Sequence, residues 1–320
     1  MKIGIIGRLA EGTNLLDGQT IKTRVLKQEL ESIYPDWEID CIDTYNIKKK
    51  IVGVFGATKY LLKECDCVFV LLSKNGRSIF FPLLYHLNKK YKKPIYHDVI
   101  GGTLADEAQK KKNWKQILNS FTVNWVELPS LQQRLAEIGV NNAETLPNFK
   151  RLPICEREEL PDKYEEPYKF CTFSRVIETK GITTAAQAIR YVNQHAKKKI
   201  AELYVYGEID PSYEDAFGEL LQSQKDEVFY GGKIPFDRSV EKIKPFFMLL
   251  FPSTHPGEGF PGTFIDAYSA GVPIIASDWK YNAELVEHGV TGLIYDVDKK
   301  EQFYELVWYA ISSPEEIVKM

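Results

Sequence analysis

Short apolar segments alternate with longer amphipathic segments along the chain, and this alternation constrains the fold more than any other feature. Before residue 150, strands are predicted at 2–6, 38–42, 67–72, 94–97 and 122–126, with helices at 18–33, 80–88 and 105–118. Strands that alternate with helices are joined by crossover connections, which produce a parallel sheet. The nearly continuous apolar run CVFVLL at 67–72 suits a strand buried on both faces. We therefore predict an α/β fold with doubly wound sheets.

A second alternating series follows a segment rich in proline and charge at residues 146–167. Its strands are predicted at 168–173, 203–206, 228–230, 248–251 and 273–276. A chain of 320 residues is long for one domain and fits two. We predict two Rossmann-like domains, at 1–150 and 168–320, joined by a linker at 151–167. In such sheets ligands bind at the carboxyl ends of the strands, so we expect a cleft between the two domains to hold the site.

The net charge of −3 is divided unevenly between these halves. Residues 1–150 contain 22 Lys and Arg against 16 Asp and Glu, a balance of +6, and the remainder contains 19 against 28, a balance of −9. Such polarity favours two domains with different partners. The five cysteines are scattered, which is typical of a reducing compartment, and no apolar run approaches the ~18–20 residues that span a bilayer. We therefore expect a cytoplasmic protein.

Two loops of the second half carry residues suited to an anionic ligand. The strand ending at Phe173 runs into SRVIETKG, so Arg175 and Lys180 stand just before a helix predicted to begin near Ile182. Two cations beside free N–H groups of a helix N-terminus are suited to a diphosphate. The second loop, FPSTHPGEGFPGTFIDAYSAG, contains glycines that allow close approach of the backbone to a ligand. It also carries two acids, Glu258 and Asp266, of which the first can accept sugar hydroxyls.

Together these motifs resemble those of the family 4 glycosyltransferases, which have the GT-B fold and transfer sugars from nucleotide donors with retention of configuration. The family signature of two acids, E-x(7)-E, is similar to the segment EGFPGTFIDAYSAGVPIIASD, followed by ELVEHGVTGLIY, and its S/G-R-x(4)-K-G loop is similar to SRVIETKG. The resemblance is strongest over residues 169–295. It also includes the N-terminal DGQTIKTR loop and LPNFK before the predicted linker.

The resemblance implies a role for each matching residue. The C-terminal domain would bind the nucleotide sugar and the N-terminal domain the acceptor. Arg175 and Lys180 would bind the diphosphate, Glu258 the sugar hydroxyls and Asp266 the ribose. Backbone N–H groups of the acidic loop would line the sugar and phosphates, namely those of Gly259, Phe260, Gly262 and Thr263. The backbone at Ile234 would face the base, and Gly207 would leave room beneath the nucleotide. Gly18 and Gln19 match the glycine-rich loop that closes over the phosphates. His97, at a strand end, would face the donor sugar.

Three features depart from the family pattern. Asp266 is one methylene shorter than the usual glutamate, and Pro261 replaces the usual glycine, so that one amide is missing. The family also continues beyond SSPEEIVKM with a helix that crosses back to the first domain. The histidines lack the spacing of metal ligands. We therefore expect no metal and no cofactor, the nucleotide sugar being a substrate.

Two alternatives remain open: a nucleotide-sugar 2-epimerase, and a non-catalytic nucleotide-sugar-binding partner of another transferase. The acceptor is expected to be a saccharide or a lipid-linked saccharide of surface polysaccharide or glycoconjugate synthesis, and no nucleic acid is expected.

Basic residues 48–50 and 89–93, near apolar residues from Ile51 to Leu62, suggest a peripheral contact with an anionic membrane at its inner face. The alternative is that this apolar segment covers the sheet. His255 is expected to be solvated.

Overall fold

The computed structural model describes residues 1–13, 15, 17–47 and 51–320, with the side chains of all of these except Ile51 and Phe236. Lys48, Lys49 and Lys50 of the predicted membrane contact lie outside the described residues. The chain divides into two compact units, residues 1–150 and residues 151–320.

The first unit is a six-stranded parallel sheet with the strand order β2-β1-β3-β4-β5-β6. Its elements, in chain order, are β1 (Lys2–Gly7), α1 (Gly18–Ile33), β2 (Glu38–Asp43), α2 (Ile51–Glu64), β3 (Cys67–Leu71), α3 (Lys74–Tyr91), β4 (Ile95–Asp98), α4 (Leu104–Lys110), α5 (Trp114–Asn119), β5 (Val123–Val126), α6 (Pro129–Glu137) and β6 (Ala143–Thr145).

The second unit is also a six-stranded parallel sheet, with the order β12-β11-β10-β7-β8-β9, which is the Rossmann order when counted from β7. Its elements are β7 (Tyr168–Phe173), α7 (Ile182–Ala196), β8 (Ala201–Tyr206), α8 (Glu214–Ser223), β9 (Val228–Gly232), α9 (Ser239–Ile243), β10 (Met248–Phe251), α10 (Gly262–Ser269), β11 (Ile274–Ser277), α11 (Asn282–Leu285), β12 (Gly292–Tyr295), α12 (Lys300–Ser312) and α13 (Pro314–Lys319).

Helices cover both faces of the second sheet because neighbouring strand residues point in opposite directions. Phe170 packs in one cluster with residues of α7 and α12, while Cys171 packs in the other with residues of α9 and α10. Strands buried on both faces require the nearly continuous apolar sequences seen here. The predicted fold class, two doubly wound α/β domains, is confirmed.

Two details differ from the sequence prediction. The helix predicted at 105–118 is two helices, α4 and α5, because the chain turns at Asn113, which has a left-handed φ of 73°. Residues 151–167, predicted as a linker, belong to the second unit. The Cys155 N–H donates to the Ser269 carbonyl at 2.8 Å, and the Tyr164 ring packs 5.0 Å from Phe247. Apolar side chains dispersed among the prolines therefore bind this segment to the core.

Candidate active site

The carboxyl ends of β7 and β10 form the centre of the candidate site. These strands are neighbours, yet the helices that follow them lie on opposite faces of the sheet, so a crevice opens at this switch point. The first turns of α7 and α10 both begin at this edge. Gly181 lies directly before α7 and has a φ of 72°. A Cβ at this residue would lie 2.2 Å from the Pro252 carbonyl oxygen. The two loops can therefore approach closely because residue 181 has no side chain.

Lys180 and Glu258, predicted on separate loops, form an ion pair between the Lys180 Nζ and the Glu258 Oε1. The side chains are 14% and 6% exposed. Ser253 Oγ also donates to the Glu258 Oε1 at 2.8 Å, and the Lys180 Nζ lies 5.2 Å from the centre of the Phe251 ring. The structure thus brings the predicted phosphate-binding cation and the predicted sugar-binding acid into direct contact.

Thr179 connects the loop after β7 to the loop after β10. Its carbonyl accepts the Thr254 N–H at 2.8 Å, and its hydroxyl lies 3.0 Å from the His255 Nδ1. The Trp279 Nε1 in turn donates to the His255 carbonyl at 2.8 Å, which attaches the loop after β11. Three loops at adjacent strand ends are therefore joined around His255.

The expectation that His255 is solvated is wrong. Burial is the main cause that lowers the pKa of His255, and the positive charges of Lys180 and Arg175 lower this pKa as well. The negative charge of Glu258 has the opposite effect. His255 is therefore half buried, has the Thr179 hydroxyl as a partner and responds to the charges of both loops. No sequence signal could identify this arrangement, because Thr179 is 76 residues away from His255 along the chain.

Arg175 lies at the rim of the group. Its side chain is half exposed, and its Nη1 lies 3.9 Å from the Asp210 Oδ2. Asp210 accepts hydrogen bonds from the hydroxyl and the N–H of Ser212, which together lower its pKa, with a smaller effect from Arg175. An exposed, weakly held guanidinium can turn toward an anion at low cost.

The glycine at position 207 has a structural reason for being there. Gly207 has φ 142°, and a Cβ would lie 1.7 Å from the Ser174 carbonyl oxygen, so the loop before Arg175 needs this space. Ile234 is half buried and packs against the cluster that contains α10. Their predicted contacts with the nucleotide stay predictions.

The second acid is buried in the ligand-free structure. Asp266 is 1% exposed, and its Oδ1 accepts a hydrogen bond of 2.7 Å from the Ser239 Oγ. The predicted contact of this carboxylate with ribose stays a prediction. Near it on α10, the Thr263 hydroxyl donates to the Phe173 carbonyl. Helix α10 begins at Gly262, directly after Pro261. In the loop before this helix, Gly259 is buried and Phe260 is half buried.

In the first unit, Gly18 is the exposed first residue of α1, whereas Gln19 is buried and donates to the Leu71 carbonyl at 2.8 Å. His97 is fully buried, with its Nδ1 2.8 Å from the Asn124 Oδ1 and its ring against Phe81. Burial lowers the pKa of His97 to about 3, partly offset by Asn124. The ring is therefore neutral and buried, and its predicted contact with the donor sugar stays a prediction.

Comparison with known proteins relates the second unit to glycosyltransferases. Residues 167–312 match the family described as Glycosyl transferases group 1. An uncharacterized glycosyltransferase of Methanocaldococcus jannaschii is 23% identical over 150 residues, which are 47% of this chain and 37% of that protein. The amylovoran biosynthesis glycosyltransferase AmsK of Erwinia amylovora is 25% identical over 138 residues, 42% of this chain and 33% of that protein. The matched part is thus about a third of each curated relative.

Solved structures resemble the chain over its whole length. HepE of Anabaena in complex with UDP-glucose has a TM-score of 0.73 at 14% identity and covers 100% of this chain and 93% of its own. Sucrose-phosphate synthase of Thermosynechococcus elongatus has a TM-score of 0.76 at 16% identity, covering 99% and 91%. The chain therefore has the GT-B fold of two Rossmann-like domains, and its second unit matches the group 1 glycosyl transferases.

Proposed function

We propose that this chain is a retaining, metal-independent glycosyltransferase of family 4. It moves a sugar from a nucleotide sugar to a saccharide or lipid-linked acceptor in surface polysaccharide or glycoconjugate synthesis. The observation that carries the proposal is the contact of Lys180 with Glu258 at the β7–β10 switch point, with Arg175 on the same loop as Lys180. This arrangement offers a cationic side for a diphosphate and a carboxylate for sugar hydroxyls within one site.

The donor is proposed to be a UDP-sugar. Support comes from similar folds solved with UDP-glucose and with UDP. In our proposal the diphosphate lies between Arg175 and the first turn of α7, where uncompensated N–H groups favour an anion. Lys180 then exchanges part of its contact with Glu258 for a phosphate oxygen, and Glu258 accepts hydroxyls of the sugar.

The chemical step follows from the same charges. As the bond to the leaving diphosphate breaks, negative charge grows on the phosphate and the sugar acquires oxocarbenium character. Once Arg175 has turned toward the diphosphate and Lys180 has shifted toward it from Glu258, these cations and the N-terminus of α7 stabilise the growing charge more than the ground state. The acceptor hydroxyl attacks from the side the phosphate leaves, and a phosphate oxygen takes its proton, so configuration is retained without a protein nucleophile. The two cations, Arg175 and Lys180, replace the charge neutralisation that a metal supplies elsewhere.

Incubation of the purified chain with UDP-sugars, with and without saccharide acceptors, tests the proposal. Transfer or slow donor hydrolysis that persists in EDTA is expected, and NMR of the product anomer should show retention. Lys180→Ala or Arg175→Ala should reduce the rate by about 10²-fold or more. Conversion of the donor into its 2-epimer would identify an epimerase, and binding without turnover would identify a partner subunit. Activity lost in EDTA and restored by Mg²⁺ or Mn²⁺ would reject a metal-free site.

The two acids give a second test. Glu258→Gln keeps the size of the side chain but removes its charge, so turnover should fall sharply while UDP binding stays nearly unchanged. Glu208→Gln is a matched control, because Glu208 pairs with Lys233 on the exposed surface of the same unit. Equal loss of UDP affinity in Glu258→Gln and Asp266→Ala would show that the two acids have the same role, contrary to the proposal.

We also propose that the first unit contacts an anionic membrane, so that a lipid-linked acceptor can reach the enzyme. The described part of the chain contains no helix with the length and apolar character needed to cross a bilayer. On α2, however, Val52 is 96% exposed and Phe55 and Tyr60 are 54% and 49% exposed, with Lys59 and Lys63 on the same solvent side. Exposed apolar side chains beside lysines suit the surface of anionic lipid.

Co-sedimentation with liposomes at low salt tests this contact. Binding to vesicles that contain phosphatidylglycerol should exceed binding to neutral vesicles, and each lysine near the surface should contribute about 1 kcal/mol. Lys59→Glu with Lys63→Glu should abolish the difference, as should the change of Lys48, Lys49 and Lys50 to Glu. Equal partition onto neutral and anionic vesicles would contradict the proposal.

A further inference from the structure

A cavity of about 300 Å³ lies in the first unit at the carboxyl ends of β1, β2 and β3. These strands are neighbours in the sheet, in the order β2-β1-β3. Each strand end supplies polar lining residues: Arg8 after β1, Thr44 and Asn46 after β2, and Ser73 and Asn75 after β3. Parallel α/β sheets bind ligands at this edge, so the cavity has the position of a ligand site.

Thr44 is the lining residue that most clearly points to a polar ligand. It is 8% exposed, and its N–H donates to the Gly7 carbonyl at 2.8 Å. Its hydroxyl has no hydrogen-bond partner in the described part of the chain. A hydroxyl this buried is normally hydrogen-bonded, so its partner must come from the cavity.

Helix α3 begins at the cavity and brings further donors. Ser73 precedes the helix with an extended backbone, and its side chain makes no capping hydrogen bond. The helical hydrogen bonds start with the Arg77 N–H, which donates to the Ser73 carbonyl at 3.0 Å, so the N–H groups of residues 74–76 have no partner within the helix. Asn75 and Gly76 of this turn line the cavity. The cavity therefore combines N–H donors with hydroxyls that both donate and accept.

The charges around the cavity nearly cancel. Among the described residues that line it, Arg8 alone carries a charge, and its Nη1 lies 3.0 Å from the Asp17 Oδ2. Asp43, the last residue of β2, accepts the N–H groups of Leu9 and Tyr45 at 3.0 and 2.9 Å. Burial raises the pKa of Asp43, but hydrogen bonds from the backbone lower it more, so this acid is ionised. An anionic ligand would have to displace Asp17 and approach a second carboxylate, whereas a neutral ligand would not.

The size of the cavity limits its ligand to about one ring. Sites for small molecules measure roughly 300–1,000 Å³, and this cavity lies at the lower limit. A nucleotide sugar, which has a base, two sugars and a diphosphate, needs a larger site. The end of β3 is rigid, because the Arg77 guanidinium is 1% exposed, donates to the Leu72 carbonyl at 2.9 Å and pairs with Glu107. A single sugar ring therefore suits this cavity in size and in hydrogen bonding.

We propose that this cavity binds one neutral sugar ring of the acceptor, with Thr44, Ser73 and Asn75 as hydrogen-bond partners. This rests on the proposed function, since the ligand is an acceptor only if the chain is a glycosyltransferase. Arg8 donates its remaining N–H groups to sugar hydroxyls, while Asp17 keeps the site neutral. The acceptor is thereby narrowed to a saccharide whose bound ring carries no carboxylate or phosphate.

Amide NMR of the whole chain with methyl glycosides tests this binding without any nucleotide. The neutral probes are methyl glucoside, methyl galactoside and methyl N-acetylglucosaminide, and the anionic probe is methyl glucuronide. At least one neutral probe should shift the side-chain amide signals of Asn46 and Asn75, and the glucuronide should bind about tenfold more weakly. UDP should not displace the neutral probe. No shift with any neutral probe, tighter binding of the glucuronide, or displacement by UDP would overturn the proposal.

Two variants remove hydrogen-bonding groups from the cavity. Thr44→Val deletes the hydroxyl with little change in shape, and Asn75→Ala deletes an exposed amide in the first turn of α3. Each should weaken the neutral probe about three- to tenfold. Thr58→Val is the matched control, because Thr58 is also buried but donates to a carbonyl within α2, and it should leave the affinity unchanged. Wild-type affinity in both cavity variants contradicts the proposal.

A third variant changes the charge preference. Asp17→Asn can still cap α1 but leaves Arg8 without its counter-charge. The glucuronide should then bind about tenfold more tightly than it does to the wild type, and the neutral probe should be affected little. Asp36→Asn, which changes an exposed acid of the same unit, is the control and should leave both affinities unchanged. An unaltered preference in Asp17→Asn would show that the Arg8–Asp17 pair does not set the charge of the ligand.

Kinetics separate the sugar subsite from the proposed function. In a transfer assay, Thr44→Val and Asn75→Ala should raise the KM for the saccharide acceptor and leave the KM for the UDP-sugar and the rate of donor hydrolysis unchanged. Transfer with an unchanged acceptor KM would reject the subsite and keep the proposed function. Binding of a neutral glycoside in the cavity of a chain that transfers no sugar would support a saccharide site and reject the glycosyltransferase.

Discussion

Removal of the Lys180 charge should destabilise the second unit far more than removal of an exposed lysine. In Lys180→Met, the Glu258 carboxylate, 6% exposed, would lose its counter-charge and keep the hydrogen bond from Ser253. Breaking a buried ion pair by removing one partner costs about 3–5 kcal/mol. Because Lys180 is 14% exposed and Ser253 still donates, the lower end applies, and we expect a loss of about 3 kcal/mol.

The size of this loss can be checked by scanning calorimetry of the whole chain. For a unit of 150–250 residues, each kcal/mol lowers Tm by about 2–4 °C, so the transition of the second unit should fall by roughly 6–12 °C. Lys233→Met is the matched control, because Lys233 and Glu208 are each about half exposed. Its Tm should change by an amount equivalent to about 0–1 kcal/mol.

A double variant separates the ion pair from the lysine itself. Lys180→Met with Glu258→Gln removes both charges, and a neutral amide can remain hydrogen-bonded to Ser253, so most of the stability should return. Enzyme activity should stay low, since both proposed ligands are gone. If Lys180→Met costs no more stability than Lys233→Met, or if the double variant is as unstable as the single one, the buried pair is not a stabilising unit and our reasoning is refuted.

Three further predictions concern stability. Burial lowers the pKa of His97 to about 3 in the folded protein from 6.5 when unfolded, so the stability that neutral His97 contributes is complete above pH 6.5 and is lost on acidification, by about 3 kcal/mol at pH 4.5. Denaturant unfolding of His97→Gln should show a shallower pH dependence, and identical slopes would contradict this. Gly207→Ala should lower the free energy of unfolding by ~1–3 kcal/mol in denaturant unfolding, because φ 142° and the Ser174 carbonyl exclude a Cβ. Gly18→Ala should leave the free energy of unfolding unchanged, because no atom lies within 4 Å of the added Cβ. UDP at 100 times its dissociation constant should stabilise the second unit by ~2.7 kcal/mol in a thermal shift assay, and no shift with any nucleotide diphosphate would reject the donor site.

The sequence predicts the fold well because strand burial is encoded locally. Segments such as residues 67–72 and 248–251 are apolar at nearly every position, so their strands are recognisable without tertiary information. Local sequence predicts neither helix α2 nor strands β6 and β12. The short strand β12 carries a glycine, and α2 contains Gly53 and Gly56, which weaken the helical signal.

The site is predicted in part. Motif spacing identifies Lys180 and Glu258, but their ion pair is a tertiary contact that spacing alone cannot show. The sequence gives the position of His97 at a strand end, and its burial depends on Phe81 and Phe121, which come from other elements. The direction of the Asp266 side chain likewise depends on Ser239. Residue type and position therefore indicate which groups are present, while their accessibility depends on long-range packing.

The contacts of Thr179 have a consequence for the thermodynamics of binding. Its carbonyl and hydroxyl already join the loop that carries Lys180 to the loop that carries Glu258. A ligand that enters does not have to order two independent loops, so little conformational entropy is lost when it binds. Nucleotide binding to the second unit should therefore show the small heat-capacity change and the small loss of entropy that are typical of a preformed pocket. Coupled folding of a mobile loop would give a larger heat-capacity change and a larger loss of entropy.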